Sequence, residues 1–340
     1  MSAGAPGGPP LCNPTQENGT GDHHPERMRA IIATGWGAAD LLAEVEVQTP
    51  TPGPTEVLVR VHAAGVNPTD WKQRATGGLG LWGDPPILGY DVSGTVAAVG
   101  LGVDLFRQAD EVFGMPRFPF QAGAYAEYVT APARQFAPKP ASMDHLHAAA
   151  LPLASLIAWQ ALVDTAEVKA GQRVLVHGAA GGVGHLAVQI AKSRGARVIA
   201  TARAHHHELL RSLGADELVD YVEHRFEAAV TGVDIVLDTI GGDYPARSLD
   251  TLREGGMLVC LASPFDPPAA VVQEAIRRGI RTSAPLVEPD RLALTSIVDL
   301  VTAGRLRPVI AAVLPLAEAQ RAHELGETGH TRGKIVLQVL

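Results

Sequence analysis

The chain has 340 residues, enough for two domains that each bury a core. Its formal charge of −8 excludes a broad nucleic-acid surface, and its 46% hydrophobic content is that of a globular protein. Cys12 and Cys260 are the only cysteines, too few for a disulfide framework or a zinc knuckle, which fits a reducing cytoplasm.

Residues 1–27 are rich in Gly, Pro and polar side chains and lack both periodicity and a basic-then-apolar leader, so they read as a disordered tail. His23 and His24 within it read as solvated. From 28 to 65 apolar and polar residues alternate, and Val57–His62 reads as a strand. Gly65-Val-Asn-Pro-Thr-Asp-Trp-Lys72 reads as a turn into a short helix, with Asp70 and Asp91 as turn or cap residues. Short strands joined by glycine turns follow as far as Val129, the pattern of a small, irregular β-barrel.

The apolar stretch Ala148–Val163 is broken by Pro152, Ser155 and Gln160 and is too short for a membrane span, so a buried helix is expected. Then the pattern changes to alternating strands and helices. Val174–His177 is an apolar, β-branched run, followed at once by Gly178, Gly181, Gly182 and Gly184 and by a helical apolar period from Val183 to Ala191. A second strand, Ala196–Ala202, completes a β-α-β unit. A strand, a glycine turn and a helix start aim backbone N–H groups at one point, with the positive end of the helix dipole behind them. Glycine lets a pyrophosphate approach the backbone, so this unit predicts dinucleotide binding. Val233–Asp238 and Met257–Leu261 are further buried strands, and Gly333–Leu340 closes the chain with one more.

An acidic residue about 20 residues past the glycines would bond a ribose 2′-hydroxyl. Here the second strand ends Thr201-Ala202-Arg203, with no acid. Arg203 can pair with a 2′-phosphate, so NADPH is expected over NADH. His205, His206 and His207 are adjacent on a helix and point apart, so no metal site is expected there, only a polar surface.

Several motifs in order carry a family resemblance over residues 28–340: Gly65-Val-Asn-Pro-Thr-Asp70, Leu88-Gly-Tyr-Asp-Val-Ser-Gly94, Gly123-Ala-Tyr-Ala-Glu127, Val176–Gly184, Asp238-Thr-Ile-Gly-Gly242 and His330-Thr-Arg-Gly-Lys334. Together they resemble the medium-chain dehydrogenase/reductase superfamily, in its zinc-independent quinone oxidoreductase-like branch. The resemblance implies an α/β fold: a GroES-like, β-rich catalytic domain at 28–150, rejoined by 286–340, and a Rossmann doubly wound parallel sheet at 151–285. The cleft would lie between them. The positions that match the zinc ligands of metal-dependent relatives are Asn67, Tyr90 and Leu153, none a competent ligand. Without a Lewis acid, alcohol oxidation gives way to hydride delivery to an acceptor already electrophilic, a quinone or conjugated enone.

The resemblance also implies roles. Asn67 orients the substrate oxygen or the nicotinamide amide, Lys72 stabilises a developing oxyanion, and Tyr90 lines the cleft. Ala180 and Val183 of the glycine turn, Thr201 and Tyr221 hold the cofactor, with Tyr221 against the adenosine end. The loops at Thr239-Ile240-Gly241, Leu261-Ala-Ser263 and Leu286-Val287 lie on the nicotinamide side. Relatives commonly form homodimers through the sheets of the nucleotide domain. Two other functions use the same motifs: an enoyl-thioester reductase in biosynthesis, and an NADPH-binding protein without turnover.

Overall fold

The structure, a computed structural model, describes residues 24–263 and 267–340. Most of the expected tail, with Cys12 and His23, lies outside the described residues. Arg27, placed in that tail from sequence, opens the first strand.

Strands β1 (Arg27–Ala33) and β2 (Leu42–Gln48) form a two-stranded antiparallel sheet. A second sheet begins with β3 (Glu56–Val66), β4 (Asp91–Val99), β5 (Glu111–Gly114), β6 (Tyr128–Pro132) and β7 (Phe136–Pro138). Val57, Val59 and Val61 alternate with neighbours on the other face of β3, and all three are buried with Val92, Val96 and Phe136 in the core of this β-rich part. The third sheet takes β8 (Arg173–Val176), β9 (Arg197–Thr201), β10 (Glu217–Val219), β11 (Val233–Asp238), β12 (Leu252–Cys260) and β13 (Arg281–Ser283). The chain then returns to the second sheet with β14 (Ile310–Pro315) and β15 (Lys334–Gln338), and β15 pairs antiparallel with β3.

The third sheet is parallel throughout, in the order β10-β9-β8-β11-β12-β13. Its strands are covered on both faces, which is why β8 and β11 carry the apolar runs Val174–Val176 and Ile235–Leu237. Strand order reverses between β8 and β11, and a doubly wound sheet binds its ligand at the carboxyl ends of the strands at that point. The expected buried helix runs Pro152–Trp159, opened by a proline at its first turn, and passes into a wider turn over Gln160–Thr165. It is buried on nearly every face because the Gly184–Ser193 and Arg291–Thr302 helices pack against it. Among the described residues no helix is long and apolar enough to cross a membrane.

Candidate functional site

Gly178 lies one residue beyond the end of β8, after His177, at φ +61. A Cβ there would collide with Thr239 Oγ1 and lie 2.8 Å from Ile240 Cδ1, both just past the end of β11. A Cβ on Gly184 would strike the Gly178 carbonyl oxygen. Glycine is therefore required at both places for the turn to pack between the two strands. Gly181 N–H donates to Gly178 O at 2.9 Å and shapes the turn, while the N–H groups of Ala180, Gly182 and Val183 take no backbone carbonyl among the described residues. They stand at the start of the Gly184–Ser193 helix, whose dipole favours an anion.

Two buried histidines fix this turn. His177 lies between Thr201 Oγ1 (3.1 Å from Nδ1) and Ser248 Oγ (3.1 Å from Nε2), and burial lowers its pKa to about 3. His185 Nε2 accepts the Val309 N–H at 3.0 Å, which leaves Nδ1 to donate to Gly181 O at 2.8 Å. Burial lowers His185 to about 4, so both rings are neutral. The Gly333 N–H donates to Ala180 O at 2.9 Å, a second bond between the turn and the C-terminal segment.

The turn forms one wall of a cleft of about 590 Å³. At one end lie Thr201, Arg203, Tyr221, His205, His206 and His330. Arg203 Nε donates to Tyr221 OH at 3.2 Å, and its Nη2 is 3.4 Å from His330 Nε2. No Asp or Glu lines the cleft among the described residues. His207 turns away, its Nε2 3.2 Å from Ala202 O, so the three histidines do not converge; but His205 and His206 line the cleft, which the reading of a polar surface missed.

At the other end lie Asn67, Trp71, Ala154 and Lys334. Lys334 opens β15 and its ammonium is buried, bonded to Asn67 Oδ1 and 3.2 Å from Asp91 Oδ2. Asn67 Nδ2 donates to the same Asp91 oxygen at 2.8 Å, and Leu153 N–H donates to the other at 2.7 Å. Burial raises Asp91, opposed by the adjacent ammonium and by these donors. Asn67 precedes the Pro68–Thr76 helix, and its N–H donates to Asp70 Oδ2 at 2.7 Å, the return bond of a capping box. Asp70 also accepts the Tyr125 hydroxyl at 3.0 Å, and burial pushes its carboxyl up to about 7. The two aspartates read as turn or cap residues thus hold the Asn67 loop from beneath, and Asp91 does so as half of a buried ion pair.

Of the residues singled out from sequence, Asn67, Gly178, Ala180, Gly181, Gly182, Val183, Thr201, Arg203, Tyr221, Thr239 and Ile240 come together along the cleft. Lys72, Tyr90, Gly184, Leu261, Ser263, Leu286 and Val287 do not line it. Gly184 lies beneath the turn. Lys72 Nζ donates to Ala262 O at 2.8 Å, tying the Asn67 helix to the loop after β12. Tyr90 is buried; its hydroxyl donates to Gln73 Oε1 at 2.8 Å, and its ring meets Phe118 edge-on, so it supports the loop from behind. Sequence reasoning missed Lys334, His330 and His206. For Lys334 the signal was present: a lysine opens an apolar C-terminal strand inside a quoted motif. At the positions equivalent to zinc ligands, Asn67 binds an ammonium, the Tyr90 hydroxyl turns to Gln73, and Leu153 offers only its N–H.

Two family profiles match the chain: "Alcohol dehydrogenase GroES-like domain" over residues 53–141 and "Zinc-binding dehydrogenase" over residues 213–337. Among curated proteins it is 34% identical over 330 residues to the mitochondrial NAD(P)H oxidoreductase RTN4IP1 of Danio rerio, covering 84% of each chain. It is 33% identical over 326 residues to the chloroplastic NADPH-dependent alkenal/one oxidoreductase of Arabidopsis thaliana, covering 92% of this chain and 80% of that protein. The solved quinone oxidoreductase from Coxiella burnetii superposes with a TM-score of 0.86 at 39% identity, over 92% of this chain and 100% of that one. The chain belongs to the medium-chain dehydrogenase/reductase superfamily, in its quinone oxidoreductase-like branch, and is an oxidoreductase.

Proposed function

We propose that this enzyme uses NADPH, without a metal, to reduce a quinone or a conjugated enone. The observation that carries the cofactor reading is the cationic end of the cleft, where Arg203 meets Tyr221 and His330 and no carboxylate lines the wall. A carboxylate would repel a 2′-phosphate; a guanidinium bonds it. The glycine turn fits a pyrophosphate, since the Ala180, Gly182 and Val183 N–H groups stand at a helix start with no backbone carbonyl among the described residues. When bound, the nicotinamide supplies the hydride.

The chain's own part is to bind, orient and exclude water. The Ala180, Gly182 and Val183 N–H groups bond the pyrophosphate. Asn67 and Lys334 present an amide and an ammonium at the far end, where they hold the carboxamide or the acceptor oxygen. The buried ammonium offsets negative charge that develops on that oxygen in the transition state. Lys72 acts by holding the Ala262 loop. The reading divides the chain into a GroES-like domain at 28–150 with 286–340, and a Rossmann domain at 151–285. It also takes the protein as a cytoplasmic homodimer, with the small-molecule acceptor as its partner and neither nucleic acid nor membrane.

The test is NADPH consumption by the purified protein with a quinone, a simple conjugated enone and an enoyl thioester, with NADH in parallel. Turnover of the quinone or enone with NADPH is the expected outcome. Preference for the thioester would move the enzyme to acyl-chain biosynthesis and refute the acceptor reading.

A further inference from the structure

His206 Nδ1 is buried and has no hydrogen-bond partner. Its ring lies 3.9 Å from that of His205, and both line the cationic end of the cleft with Arg203 and His330. Burial, and then the charges of His205, Arg332, Arg203 and His207, hold the His206 pKa below its ordinary value. Asp220, just past the end of β10, is engaged elsewhere: it accepts Ala204 N–H and Val222 N–H, both at 2.9 Å. Arg203 and three imidazoles thus line this end of the cleft with no carboxylate among them.

We propose that His206 and His330, with His205 beside them, complete the Arg203 site for a 2′-phosphate and take up protons when NADPH binds, so that preference for NADPH over NADH rises as pH falls. This rests on the NADPH reading and adds its regulation. A 2′-phosphate carries a charge near −2 at neutral pH, and Arg203, the one guanidinium lining the cleft among the described residues, supplies +1. A dianion seated among the imidazoles reverses the sign of their surroundings and favours the imidazolium form. NADH bears a hydroxyl there and brings no such charge.

The size follows from linkage. For an imidazole of ordinary solution pKa, a one-unit rise on binding tightens NADPH about four-fold between pH 8 and pH 6.5, and less over that range for one that starts lower, as His206 does. The same rise from an ordinary pKa draws in about half a proton per histidine at pH 7. Protonation of the free phosphate, with its second pKa near 6, opposes this by less than about 1.5-fold over the same range. By itself that phosphate would release protons on entering a cationic site.

The experiment is calorimetric titration of the full chain with NADPH and with NADH at pH 7, in buffers of different ionisation enthalpy, with dissociation constants from pH 6.5 to 8. Expected are net proton uptake with NADPH and none with NADH. Uptake should fall by half or more in the double variant H206N/H330N, checked for folding by circular dichroism. NADPH preference with proton release, or with uptake unchanged in the double variant, would overturn the histidine site while leaving the NADPH reading intact. Equal affinity for NADPH and NADH at every pH would overturn both.

Discussion

Replacing Lys334 by methionine keeps the stem that packs beside Gly182 and removes only the ammonium. Asp91 then stays buried with two donors, Asn67 Nδ2 and Leu153 N–H, and no cation. Removing one partner of a buried ion pair typically costs about 3–5 kcal/mol, because the remaining charge is uncompensated. For a chain of this length that is a fall in melting temperature of roughly 4–7 °C. The loss has a pH signature. Without the ammonium, the folded-state pKa of Asp91 rises further above its unfolded value. A carboxyl raised on folding takes up a proton on folding, so its penalty grows as pH rises above the unfolded pKa and shrinks as pH falls. The gap in melting temperature between wild type and K334M should therefore be widest near pH 8 and narrow toward pH 5. The double variant D91N/K334M should recover part of the loss, since the orphaned charge is gone. Differential scanning calorimetry across that range is the assay. A gap under about 1 kcal/mol, or one that does not change with pH, would refute the assignment of Lys334 as the partner of a buried carboxylate.

In G178A the Cβ has no room against Thr239 and Ile240 and the residue must hold φ +61, so the variant should lose at least about ten-fold in NADPH affinity, read by fluorescence titration. In R203A, NADPH affinity should fall by roughly 2 kcal/mol, the scale of a charge-assisted hydrogen bond, with NADH affinity changed less than two-fold; equal losses would remove Arg203 from the 2′-phosphate site. Stability should fall between pH 7.5 and 5.5. His177 (about 3), His185 (about 4) and His323 (about 3) are held neutral when folded, so the unfolded chain binds protons they refuse, roughly 1.4 kcal/mol each at pH 5.5. Asp70, raised to about 7, works the other way and returns about 2 kcal/mol, and Asp91, also raised, adds to that return, while His62, lowered to about 4, adds to the loss; a melting curve that rises toward pH 5.5 would contradict this.

The glycine turn was legible because its information is local. The β8 run, the four glycines and the helical period are contiguous, and together they fix where N–H groups converge. The far end of the cleft was less legible because it is assembled from β3–β4 connections and β15. Asn67 and Lys334 are 267 positions apart and meet only because β15 pairs beside β3. No periodicity reports such a pairing. Tyr90 shows the converse failure. A tyrosine inside a family motif suggests a cleft residue, yet the phenol finds its partner in Gln73, and that bond decides which way the ring faces. The histidine run reads as a polar surface because adjacent helical residues point apart, yet the fold turns two of its members, His205 and His206, into the cleft.

The bonds between the glycine turn and the C-terminal segment have a mechanical consequence. His185 to Val309, Gln189 to Arg307 and Gly333 to Ala180 stitch the two halves together along one side of the cleft. On the opposite side, Lys72 reaches the Ala262 carbonyl through one flexible, exposed side chain. Separating the stitched side breaks several buried hydrogen bonds, whereas releasing the other breaks one that water replaces at little cost. Any parting of the two halves therefore costs less at Lys72 and Ala262 than along the glycine turn.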